Sequence, residues 1–286
     1  MRNSTLVILA LFISACRKSN TVPAYIDIPS VQLSTTSGQG ASTSKITDVW
    51  VSVDGTFNGV WELPARIPVL AEGSHEIEVV PAIKRNGMFD DRLRYPFYQG
   101  WAGNSALVKE GSVTVHPIVT YIPQTVFWIE DFVDPFSHLV ISDDSDTTLM
   151  NYVPALHPEI EYADATPCSG FTLTSGRPYI RLETDENFAV FGGPVFVEFD
   201  YRSDMNLVVG ALYSQSGTPY AQPLVTVVPS LRSNGSLPWS KIHIDLSNVF
   251  NLGVSYRDVY FEARLPSGVA SGQVFLDNIK LLRINA

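Results

Sequence analysis

Long apolar runs are almost missing from this chain, and their absence excludes a membrane-spanning helix. The one sustained run, residues 6–13, is roughly half of the about 20 residues needed to cross a bilayer. Basic stripes are missing too: 19 Lys and Arg stand against 29 Asp and Glu, a formal charge of −10, and the cations are scattered. Nothing in that distribution displaces counterions from a phosphate backbone, so nucleic acid is excluded as a partner and the acidity serves solubility. Helical periodicity is nearly absent. So are signatures of catalysis: G-x-S-x-G, H-E-x-x-H and G-x-x-x-x-G-K-[ST] do not occur, and His75, His116, His138, His157 and His243 are dispersed. The chain is read as a non-enzyme. Cysteine is limited to Cys16 and Cys168.

What is present begins at the N-terminus. Arg2 precedes the apolar run, which closes on Ile13-Ser14-Ala15-Cys16. The stretch resembles the lipobox of bacterial lipoproteins, which implies a signal peptide over 1–16, cleavage before Cys16 and acylation of its sulfur. The partner implied is membrane lipid, held through Cys16, with 17–21 as a tether. Bacteroidetes-type lipoproteins place an acidic cluster after the cysteine for display on the cell surface. Here Arg17, Lys18, Ser19 and Asn20 follow, so attachment to the outer membrane facing the periplasm is expected. With Cys16 lipidated, Cys168 has no disulfide partner and is expected to be buried as a small hydrophobe.

The rest reads as all-β. Val49, Val51 and Val53 alternate with Trp50 and Ser52, and Asp54-Gly55, Asn58-Gly59, Glu72-Gly73 and Asn86-Gly87 punctuate the runs. A first domain is placed at 22–122. Its order, a V-D-G turn at 53–55, a second glycine at 59 and a G-x-H-x-I-x-V strand at 73–79, resembles PEGA-type and Ig-like β-sandwich modules. Residues 34–44 (STTSGQGASTS) are too polar to order themselves and are assigned to a loop or to the tether.

A second domain is placed at 125–286. It opens with the strand 126–132, continues through strands at 170–173, 179–182, 195–202 and 207–213, and closes with Trp239 to Ser247, 259–264 and 273–281. Those closing motifs (W…D-L-S, F-x-A, D-N-I-x-L) resemble the galactose-binding-like jelly roll of carbohydrate-binding modules. The whole is two β-sandwich domains, Ig-like/PEGA-like followed by a jelly roll.

The jelly-roll resemblance implies that an acid of the opening strand, Glu130 or Asp131, meets Asp277 of the closing strand. Such a set suits Ca²⁺ as a structural ion; the alternative is a turn that fixes the last strand. Asp143, Asp144 and Asp146 lack the Gly and distal Glu of a calcium loop and read as solvated. Tyr95, Tyr98 and Trp101, with Phe97, form either an exposed platform for a sugar or partner, or a cap on the open end of a sandwich. Tyr201 and Arg202 are further ligand candidates, within a wider set of stacking rings (Tyr152, Tyr162, Tyr179, Tyr213, Tyr220, Trp239) and donors (Arg177, Asn206). Tyr201 is expected to point outward and Trp239 to pack beneath the core. The function expected is a membrane-anchored, non-catalytic binding module for carbohydrate. A protein-interaction subunit of an envelope complex is the second reading. A glycan hydrolase is the third, because the carboxylate separation it needs, about 5–9 Å, is a property of the fold.

Overall fold

The computed structural model describes residues 22–134 and 136–284; Cys16 and the leader lie outside them. The chain is nearly all β, in two packed bodies. The first comprises β1 (Ala24–Ile28), β2 (Gln32–Leu33), β3 (Asp48–Val53), β4 (Thr56–Glu62), β5 (Ala65–Val69), β6 (Gly73–Lys84), β7 (Arg92–Arg94), β8 (Trp101–Leu107), β9 (Ser112–Thr114) and β10 (Ile118–Val119). The sheet β5-β1-β9 faces the sheet β4-β3-β6-β7, with β8 also on β6 and β2 paired to β10. Alternation sets the core: Ile26, Ile67, Val49, Val51, Ile77 and Val79 are fully buried. Asp54 and Gly55 both adopt positive φ, 48° and 72°, the backbone that a two-residue hairpin between β3 and β4 requires.

The second body comprises β11 (Thr125–Glu130), β12 (Leu139–Ile141), β13 (Met150–Tyr152), β14 (Cys168–Thr174), β15 (Tyr179–Thr184), β16 (Val195–Ser203), β17 (Leu207–Gln215), β18 (Thr218–Val227), β19 (Ser240–Asp245), the single-turn helix α1 (Ser247–Phe250), β20 (Arg257–Arg264) and β21 (Ser271–Ile284). Two sheets form: six strands in the order β13-β14-β21-β16-β19 with β11 also on β21, and five in the order β12-β15-β20-β17-β18. Val197, Phe199, Ile244, Leu276 and Phe261 fill the space between them. The acidic run 143–146 lies in the loop between β12 and β13.

The 14-residue β21 organises this body. Along one edge, β14 pairs with 271–276 and β11 with 279–284, leaving Asp277 and Asn278 between them. Along the other edge, Glu198 pairs with Lys280 but Asp200 pairs with Asp277. The strand thus bulges at Asn278, whose φ is 50°, and a bulge re-aims side chains locally.

The bodies meet on the outer face of the six-stranded sheet. Phe196 and Leu282 leave the sandwich interior and join the core of the first body. Phe196 meets the rings of Tyr95 at 5.4 Å and Phe97 at 5.9 Å, edge to face.

Candidate functional site

Period-two alternation points Glu198, Asp200, Lys241, His243 and Lys280 out of the sandwich, and the first body then covers them. Glu198 and Lys280 are fully buried, and His243 and Lys241 are 2% and 4% exposed. Charges out of water need partners. Glu198 accepts from the hydroxyls of Tyr95 at 2.9 Å and Tyr121 at 2.7 Å, with the ammonium groups of Lys241 and Lys280 each at 3.9 Å. Burial alone would raise the Glu198 carboxyl; the surrounding cations, Lys241 foremost, outweigh it and hold it below its ordinary value. Burial lowers Lys280 to about 8 against the pull of Glu198. His243 Nε2 stands 3.5 Å from Glu198, yet burial holds the ring neutral by lowering it to about 4.

The polar segment 34–44 fills the rest of the seam. Lys280 donates to the Ala41 carbonyl at 2.6 Å, Thr43 donates to Asp200 at 2.5 Å, and Lys241 donates to Thr43 at 3.2 Å. Gly40 is required here: its φ is +69°, and a Cβ would come within 2.9 Å of Lys280 Cε.

Where residues 43–45 pass the start of β19, the seam opens into a cleft of about 420 Å³. Trp239 forms a wall, its indole N–H donating to the Glu161 carbonyl at 2.7 Å. Asp200 and Lys241, 3.6 Å apart, line it together with the Thr43 and Ser240 hydroxyls, and the exposed Lys45 and Arg232 stand at its rim. The arrangement offers an aromatic surface, acceptors, donors and positive charge, and no nucleophile set beside a base.

A second cleft of about 410 Å³ is lined by Trp128, Phe188, Phe191, Glu186 and Arg283. Its polar groups are already engaged: Trp128 donates to Glu186 at 3.2 Å, and the Arg283 guanidinium lies 4.5 Å over Phe191. Beside it, His138, Asp185 and Glu186 are the one group of three His, Cys, Asp or Glu residues among the described residues whose ligand atoms lie within 4.8 Å of one another.

The acids expected to hold calcium have other partners. Glu130 instead staples its own loop, accepting from Phe132 N at 2.8 Å, Ser137 Oγ at 2.9 Å and His138 N at 2.6 Å. Asp131 accepts from Val133 N. Asp277 is fully buried; its Oδ1 accepts from the backbone N–H of Asn278, and its Oδ2 has no partner. Burial, with Asp164 and Asp200 nearby, raises it to about 9, so it is protonated at neutral pH.

Nor do the aromatics form an exposed platform. Tyr95 and Tyr98 are 2% and 5% exposed, because the seam closes over the end of the first body. Trp101 is half-buried, its ring lying where a Cβ on Gly103 would stand. Tyr201 shares the inward face with Phe199, two residues earlier, and is core. Arg202 donates to the Leu237 carbonyl at 2.7 Å and lies 5.6 Å over Phe275. Cys168 is fully buried, and burial pushes its thiol up to about 12. Trp239, expected beneath the core, lines the cleft instead. Thr43, Lys45, Arg232 and Lys241 carried no signal in the sequence, because the residues that converge are up to about 200 positions apart.

No protein-family profile and no curated protein sequence matches this chain. Among solved structures it is similar to a family 61 carbohydrate-binding module in complex with β-1,4-galactotriose, at 15% identity over 53% of this chain and 90% of that one, TM-score 0.33. It is similar to a family 28 module specific for non-crystalline cellulose, at 15% identity over 52% and 87%, TM-score 0.35. A family 11 module of a Clostridium thermocellum cellulosomal cellulase aligns at 13% identity over 56% and 95%, TM-score 0.35. At these scores the likeness carries nothing about this chain's ligand.

Proposed function

We propose that this protein is a lipid-anchored, non-catalytic module that holds a glycan ring against Trp239 in the seam cleft. One observation carries the reading: a half-buried indole fixed by Glu161, with Asp200, Lys241 and two hydroxyls on the same cleft. The C–H face of a sugar packs on an aromatic ring, and its hydroxyls take charge-assisted hydrogen bonds, which are about twice as strong as neutral ones. Clefts between packed bodies are frequent ligand sites. The anchor is Cys16, with the protein attached to the outer membrane and facing the periplasm.

Glycan-array binding by the full chain in detergent tests the site. The wild type is expected to retain a defined set of sugars and Trp239→Ala to lose them; an unchanged pattern in Trp239→Ala rejects the site. Palmitate labelling in cells tests the anchor. Incorporation that persists in Cys16→Ala rejects it.

A further inference from the structure

Resting on that reading of the Trp239 cleft, we infer that the sugar it accepts carries a negative charge, a carboxylate or a sulfate at the edge of the ring. The lining holds three cations, Lys45, Lys241 and Arg232, against one carboxylate, Asp200. This local excess is opposite in sign to the chain's formal charge of −10.

The nearby acids have other partners, and Asp200 is matched by Lys241 at 3.6 Å. Asp200 Oδ2 accepts from Thr43 and from the Asn278 amide at 3.1 Å. Asp164, next to Ala163 at the cleft edge, is taken by Thr166 and by Asn278 at 3.0 Å. Glu198 is sealed beneath the first body with its two tyrosines. Lys45 reaches only a hydroxyl, Ser240 Oγ at 3.0 Å, and neither Lys45 nor Arg232 has a carboxylate within 4 Å among the described residues.

The cationic character continues past the cleft. Lys45 and Lys241 also line a hollow of about 50 Å³ together with Lys84, whose own ammonium is held by Glu62 at 2.7 Å. With Lys84 and Lys241 matched by acids, Lys45 and Arg232 are the cations left over, and an anion answers them where a neutral ring brings none. Trp239 then takes the apolar face of the sugar while Lys45 and Arg232 take its anionic edge. Both cations are exposed, so the gain is modest and is screened by salt.

Titration calorimetry on the full chain in detergent tests this with two matched pairs: trigalacturonate against its methyl ester, and a sulfated galactan oligosaccharide against its desulfated form. The charged member of at least one pair is expected to bind about tenfold tighter at low salt, with the advantage fading at about 0.5 M NaCl. The responding pair identifies the anion as carboxylate or sulfate. Lys45→Met/Arg232→Gln is expected to lose the advantage, so that the charged and neutral members of the responding pair bind alike.

Equal or tighter binding of both neutral members overturns the inference, as does a charge preference that survives in the double variant. In either case the glycan reading stands so long as Trp239→Ala abolishes binding. Wild-type affinity in Trp239→Ala, or no binding of any probe, overturns this inference, and the first of these removes the site reading with it.

Discussion

The two outer faces of the second body are built on the same alternation and have opposite fates. On the five-stranded sheet, Arg181 and Glu262 face each other across β15 and β20 at 2.6 Å, each side chain 24% exposed. The Arg264 guanidinium lies 4.3 Å over Tyr179. Water reaches this face, so its charges are screened and nearly interchangeable. On the six-stranded sheet, Glu198, Lys241, His243 and Lys280 occupy equivalent outward positions but are sealed by the first body. There each charge depends on the others, because an unpaired one has no water to fall back on. Polar alternation thus describes direction, and burial decides what a residue is worth.

Substitutions on the two faces should therefore separate widely. Glu198→Ala strips the acid from two buried ammonium groups and is expected to cost about 3–5 kcal/mol in urea unfolding; a loss below about 1 kcal/mol would place the buried face on a par with the open one. His243 gives the next largest effect, through pH. Its folded value is about 4 against an ordinary 6.5, so between those limits the unfolded chain takes a proton that the folded ring refuses. The stability it contributes is full above pH 6.5 and falls as the pH drops toward 4, by on the order of 3 kcal/mol. His243→Gln is expected to flatten that acid limb, and an unaltered slope in its thermal-shift profile would assign the limb to other groups. Tyr121→Phe removes one charge-assisted bond to Glu198 and is expected to cost about 2 kcal/mol, read by the same unfolding. Glu262→Gln, on the open face, should change stability by less than about 1 kcal/mol, and a larger loss would erase the contrast.

This contrast also marks how far the sequence could be read. Strands at 179–182, 195–202 and 207–213 were legible because period-two alternation is a local signal, and β15, β16 and β17 contain them. The hidden edge strand β18 was not: Pro219 and Pro223 interrupt it, and residues 218–223 are exposed, so no apolar stripe marks it. Residues 34–44 read as slack chain by composition, and alone they would be. Lys280, Lys241 and Asp200 order them, and those partners lie up to 239 positions away. For the same reason the Tyr95 and Tyr98 rings were legible as a cluster, but their cover was not. The candidate cleft is a product of the docking of two bodies, and no single segment encodes it.

The closing strand supplies residues to both cores, Ile279 and Leu281 to the second body and Leu282 to the first. One strand therefore completes two interiors at once, so neither body can finish packing without it and damage to it is felt on both sides of the seam.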